Sequence, residues 1–211
     1  MAYFLGILSA VSGIFPVAAA LLNYRNLDRV LKIAAAFFIM NMASDLIQIL
    51  SMMMGAVNNQ PIIHINIILS ILFTGAIYYY ALVSTPLKRA VIVLVSISLL
   101  IVVYCLIFIN NIWEYPSTSN TVLSLLVIVF SIVYFYQLLN RQEFIHIEKI
   151  GLFWINAGLL FYFSINIFLF MLFKRIIQVH LEEYYMIHNV TNTIANILFS
   201  IGLFCKPQKT S

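Results

Sequence analysis

Apolar runs of about 20 residues, separated by short polar connections, recur seven times along the chain: about 2–22, 31–54, 62–84, 90–109, 118–139, 152–173 and 186–205. A helix needs about that length to cross the hydrocarbon of a bilayer, where only helices and closed barrels satisfy their own backbone groups. The pattern predicts an all-α integral membrane bundle of seven transmembrane helices, one domain over 1–211. Turn chemistry fills the connections: Asn23 to Asp28, Gly55 to Pro61, Thr85-Pro86 and Asn110 to Ser117. Pro61 and Pro116 stand just before helices, where a missing N–H costs little. Pro16 lies inside the first span and should kink it, with Gly13 about one turn earlier easing the bend.

Charge adds a direction. Of eleven Lys and Arg, Arg25, Arg29 and Lys32 fall in the first connection, Lys88 and Arg89 in the third, Arg141 and Lys149 in the fifth, and Lys206 and Lys209 in the tail. The second and fourth connections carry none, and only Lys174 and Arg175 in the sixth break the alternation, beside Glu182 and Glu183. The positive-inside rule then places the N-terminus outside and the C-terminus in the cytoplasm. Trp113, Tyr115, Tyr184 and Tyr185 gather at the outer boundary and are expected to act as interfacial anchors. The fifth connection alternates charge with Phe144, Ile145 and Ile147, as an amphipathic piece on the inner surface would.

Composition narrows the function classes. The chain is 64% hydrophobic and 9% charged, and no connection exceeds about a dozen residues, which leaves no room for a soluble catalytic or nucleotide-binding domain. The pI near 9.1 reflects topology anchors facing the lipid bilayer, not nucleic-acid binding. The first segment lacks the basic residues that precede a signal peptide's apolar core, so it is expected to remain as a helix. Cys105 and Cys205 fall near opposite faces and are not expected to pair.

With Lys32 at a span boundary, Asp45 is the one charged residue deeper inside a span, and intramembrane ionisable residues are costly enough to mark function. Asn41, Ser44 and Gln48 share its stripe at helical spacing. The last span answers with Asn189, Asn192, Thr193, Asn196 and Ser200, the third with Asn66, Ser70 and Thr74, and the sixth with Asn156, Ser164 and Asn166. Counted from the outer end, Asp45 lies ~13 Å deep, level with Ser70, Ser164, Asn166 and Asn196, and His64 and His188 fall nearly a level higher at the outer mouth. These residues form the expected ligand site; amide and hydroxyl glue between helices is the plainer alternative. A retinal protein is excluded because no lysine lies within the last span. A zinc-dependent lipid hydrolase of the ceramidase and progestin-receptor type is disfavoured, since position 192 is Asn where that class has histidine, and no metal or other cofactor is expected.

Phe153-Trp154-Ile155-Asn156-Ala157-Gly158, continuing to Tyr162-Phe163-Ser164-Ile165-Asn166, is the most distinctive stretch. With His188-Asn189, Asn196-Ile197-Leu198 and Gly202-Leu203, it resembles uncharacterised seven-helix membrane proteins of Bacteroidota. Those occur alone or as the membrane-embedded input region of sensor histidine kinases. The resemblance implies a bacterial inner-membrane sensory component without enzyme activity. It would act through a histidine kinase or other signalling protein in trans and answer to a small ligand or cation. Two other readings stand beside it. One is a small-solute or ion carrier with a 3-1-3 helix plan, suggested by Leu22-Asn23 recurring as Leu139-Asn140 and Ile71-Leu72-Phe73 as Ile197-Leu198-Phe199. The other is a scaffold subunit. A carrier needs a polar path to the cytoplasm, and below Asp45 only Asn41, Asn156 and Ser200 offer one.

Overall fold

The computed structural model describes residues 2–109, 111–140, 146–173 and 181–205. Phe144 and Ile145 of the expected amphipathic piece fall outside them, as do Arg141, Lys174, Arg175, Lys206 and Lys209. All regular structure among the described residues is helical. In chain order the helices are α1 (Ala2–Ser12), α2 (Ile14–Asn23), α3 (Arg29–Met53), α4 (Gln60–Ala81), α5 (Thr85–Tyr104), α6 (Ser117–Leu139), α7 (Gly151–Met171) and α8 (Leu181–Phe204). A π-helical turn at Cys105–Ile109 extends α5.

Local chemistry explains the boundaries. Asp28 caps α3 by accepting from the Leu31 N–H at 2.8 Å, and Pro61 and Pro86 occupy the first turns of α4 and α5. The first apolar run is broken rather than merely bent. Pro16 has no N–H to offer the Ser12 carbonyl, and the helix interrupts between Ser12 and Ile14.

Six segments are long and apolar enough to cross a membrane: α1 with α2, α3, α4, α5 with its π turn, α6 and α7. The 24-residue α8 has the length, but His188, Asn189, Asn192 and Asn196 lower its mean hydropathy. It packs between α7 and the α1–α2 pair, so much of that polar stripe meets protein instead of lipid.

The helices follow one another around a ring: α2 on α3, α3 on α4, α4 on α6, α6 on α7, α7 on α8, and α8 back on α1 and α2. Helix α5 lies outside, against α4 and α6, and leaves Leu100, Ile107 and Phe108 widely exposed. The first half-span, α1, leans chiefly on α8. Two bonds set that seam, Asn192 Nδ2 to Ser9 Oγ and Asn196 Nδ2 to Ser12 Oγ, both 2.9 Å. Their numbers rise together, so α1 and α8 run parallel.

Contacts also sort the connections between two ends. At one end Arg29 donates to the Tyr80 hydroxyl at 2.8 Å and lies over that ring, Asn23 donates to the Leu203 carbonyl, and Trp154 donates to the Glu148 carbonyl. Lys88 sits over Tyr79 at this end too. At the other end Asn58 donates to the Trp113 carbonyl, His64 meets the Glu114 carbonyl, and Tyr115 stacks on Phe173 with centroids 3.9 Å apart. First, third and fifth connections thus share a basic end, opposite the second and fourth.

At the basic end α7 and α8 cross closely. A Cβ built on Gly202 would lie 2.6 Å from the Gly151 carbonyl oxygen, so glycine is required there for contact of backbone with backbone.

Candidate functional site

Toward the basic end the ring is filled. Phe38 of α3 stacks on Phe199 of α8 with centroids 4.5 Å apart, and Gly158 leaves room for that ring, since a Cβ there would meet Phe199 Cε1 at 2.6 Å. Beside this aromatic layer, Tyr78 of α4 donates to Asn156 Oδ1 of α7 at 2.5 Å and lies 2.8 Å from Ser131 Oγ of α6. Asn156 Nδ2 donates to the Ser131 carbonyl at 3.2 Å. Tyr78, Ser131 and Asn156 are all fully buried. Mutual satisfaction in a low dielectric makes such a network strong and geometrically specific. It joins three helices into one plug.

Asp45 lies beyond that layer, toward the other end. Leu31, Ala34 and Phe38 precede it by 14, 11 and 7 residues on one stripe of α3, and all three are buried. The stripe faces the ring's interior, yet Asp45 is exposed. Tyr162 of α7 lies within electrostatic reach of it. Among the described residues Asp45 accepts no hydrogen bond and forms no ion pair.

Toward the same end, α7 and α8 carry a polar and aromatic cluster. His188 Nδ1 lies 2.7 Å from Asn166 Oδ1, and Asn166 Nδ2 donates to the Tyr162 carbonyl at 2.8 Å. With its amide so oriented, Asn166 Oδ1 is the acceptor and His188 Nδ1 carries the proton. The Tyr162 ring meets His188 edge-on at 5.9 Å, and Tyr184 lies parallel to His188 at 6.3 Å. Tyr184 packs on Phe173, and its hydroxyl is within bonding reach of Tyr115.

The depth reckoning from sequence is therefore partly corrected. Asn166 and His188, expected nearly a level apart, meet each other. Asn196 leaves it for Ser12 of α1, and Asn192 goes to Ser9. α8 is already helical at Leu181, five residues before the expected 186, so depths counted from 186 are displaced by ~7 Å. Asn41 and Ser44 are engaged with Asn66 of α4 at 3.2 and 3.1 Å. Gln48 accepts from Asn59 at 3.3 Å. Ser70 is buried in α4, and His64, 2% exposed, is held at the Glu114 carbonyl. The amides behave as helix glue; Asp45 does not.

Tyr115 and Tyr184 are corrected as well. Tyr184 is buried and Tyr115 half-buried, so they cover the end of the bundle instead of anchoring it in the interface, while Trp113 and Tyr185 stay exposed. Ser9, Ser12, Tyr78, Ser131 and Tyr162 were not anticipated. Ser9 and Ser12 carried a legible signal, being small polar residues three apart on a face with Gly6. A tyrosine in an apolar run carried none. No group of three His, Cys, Asp or Glu residues able to hold a metal occurs among the described residues, and Cys105 and Cys205 are free thiols. At the basic end Glu148 is held below the usual carboxylate range by its own backbone N–H, with His146 beside it at 3.1 Å. No protein-family model, curated protein or solved structure matches the chain, so the reading of this site stands on its own geometry.

Proposed function

We propose that the chain is a sensory or signalling component of a membrane, with a pocket around Asp45 facing outward and a partner in trans receiving its output. One observation carries this reading: Asp45, on the inward stripe of α3, is exposed and has no internal partner among the described residues, while the ring toward the basic end is plugged. A pocket with one mouth suits a receptor, whereas a carrier needs a polar path through Phe38, Phe199 and Tyr78. The proposed topology has seven spans, N-terminus outside, with α8 as the seventh. The alternation of connections between two ends and the basic residues gathered at one of them support it. Arg25, Arg29, Lys88, Arg89 and Lys149 then form the cytoplasmic face through which a kinase or similar protein would be engaged.

Crosslinking from that face in native membranes, paired with flux measurements on purified protein in vesicles, tests the proposal. Capture of one protein partner without solute accumulation is expected. Accumulation of labelled solute, with crosslinks to lipid alone, would replace the receptor by a carrier.

A further inference from the structure

We infer that the groove between α2 and α8, toward the basic end, seats one acyl chain of an anionic phospholipid, with Arg25 meeting the headgroup phosphate. The inference stands apart from Asp45 and needs only that these helices lie in a bilayer.

Small side chains make the groove. It has a volume of about 570 Å³ and runs from Phe15 and Ala18 of α2 to Ile201 and Cys205 of α8. Ala19 is fully buried and Ala18 half-buried, so together they form its floor. Phe15, Ile197, Ile201 and Phe204 stand exposed along it. From Ile197 to Cys205 the helical rise gives it a length of ~12 Å.

The lining selects hydrocarbon. Only Ser200 and Cys205 bring a polar side-chain atom to it, and both are engaged with backbone. Ser200 Oγ donates to the Asn196 carbonyl at 2.6 Å, and Cys205 Sγ lies 3.9 Å from the Glu148 carbonyl. What remains is a carbon surface on which a polar solute would lose hydration without gaining a hydrogen bond. An acyl chain gains dispersion contact there. Lipid tails elsewhere are equally apolar, so retention of one molecule rests on that packing and on its headgroup.

Charge at the groove's foot selects the headgroup. Asn23 Nδ2 donates to the Leu203 carbonyl at 2.8 Å, so α2 and α8 end level with one another. Arg25 and Cys205 each follow two residues later. Arg25 also lies seven residues beyond Ala18 and ten beyond Phe15, on the same stripe as α2 passes into the 3-10 turn Tyr24–Asn26. Its basic neighbours are occupied: Arg29 by the Tyr80 hydroxyl, and Lys32 over the Tyr24 ring at 5.3 Å. The acids at this end are occupied too, Asp28 in capping α3 and Glu148 beside His146. Arg25 is exposed and has neither a hydrogen bond nor an ion pair among the described residues. A free guanidinium at the end of an apolar groove complements a phosphate, which its planar fork can hold through two N–H groups.

The test places the full chain in nanodiscs of equal parts phosphatidylglycerol and phosphatidylcholine and releases it for native mass spectrometry. One phospholipid should stay with each chain, with phosphatidylglycerol favoured about fivefold, the preference that a single basic residue near the headgroups supports. Arg25→Gln should bring the two lipids near parity, and Ala18→Phe, which fills the groove, should abolish retention. A second measurement needs no variant, so a misfolded Ala18→Phe does not blunt it. Phosphatidylglycerol with a photoactivatable group on its acyl chain should label Phe15, Ile201 and Phe204 in preference to Ile92 and Val93, comparably exposed residues of α5. No retained lipid, equal retention of both lipids by the parent, or an unchanged preference in Arg25→Gln would overturn the assignment. So would retention by a folded Ala18→Phe, or labelling spread evenly onto α5. Dimers of the chain in place of lipid adducts would give the groove to a second copy and sink the lipid.

Discussion

Gly202→Ala places a methyl group 2.6 Å from the Gly151 carbonyl oxygen and 2.8 Å from Ile155 Cγ1. An unstrained contact of that kind needs about 3.4 Å, so the carbonyl must recede by roughly 0.8 Å. Because the atom belongs to the backbone of α7, no rotamer change relieves the clash; the helices must part. Overpacking at such a site costs about 1–3 kcal/mol, and the upper half of that range is expected where backbone meets backbone. Gly6→Ala is the internal control. It lies on the α1–α8 seam, where the nearest atom to an added Cβ is Asn189 Nδ2 at 3.7 Å, so its stability should stay within about 0.5 kcal/mol of the parent. Reversible unfolding in mixed micelles, followed by circular dichroism, reads both. The strain should spread along the α7–α8 pair and loosen the Asn166–His188 contact near its far end, visible as a shifted imidazole resonance. Equal stabilities for Gly202→Ala and parent, or a loss confined to Gly6→Ala, would refute the close crossing.

Tyr78→Phe removes the hydroxyl that donates to Asn156 and should lower stability by about 1–2 kcal/mol; a double-mutant cycle with Asn156→Leu should be clearly non-additive if the plug acts as a unit. Asp45→Asn should leave stability within about 0.5 kcal/mol, because no internal bond is lost, and abolish the response to ligand. Asn196→Leu should do the reverse, costing about 1 kcal/mol through Ser12 and sparing the response. If Asp45→Asn matches wild type while Asp45→Leu misfolds, the carboxylate is glue. Impermeant thiol reagents should label cysteines introduced near Asn59, Glu114 and Glu182 from outside and miss those near Arg25, Lys88, Gln142 and Gln208; outside labelling in the second set refutes the seven-span, N-out topology.

Most of the architecture was legible along the chain because membrane helices are specified locally. Burying about 20 apolar residues stabilises a helix in lipid whatever its neighbours do, so the apolar runs matched helices to within a few residues. The break at Gly13 and Pro16 was readable too, being a property of one missing N–H. Asp45 stood out for a similar reason: the cost of a charge in hydrocarbon belongs to the residue itself.

Partners were another matter. Asn196 and His188 lie two turns apart on α8, and either could have served Asp45's layer; the contacts of α8 with α1 and with α7 sent one to Ser12 and the other to Asn166. Tyr78 read as one more aromatic in an apolar run until α4, α6 and α7 brought it to Ser131 and Asn156. Which residue a side chain meets depends on how far helices tilt, rotate and approach, and the small residues at their crossings, such as Gly151 against Gly202, control that. Apolar periodicity determined that helices form and where they end. That Asp45 is left exposed and without an internal partner among the described residues was decided by packing alone, because what a side chain meets depends on how neighbouring helices approach it.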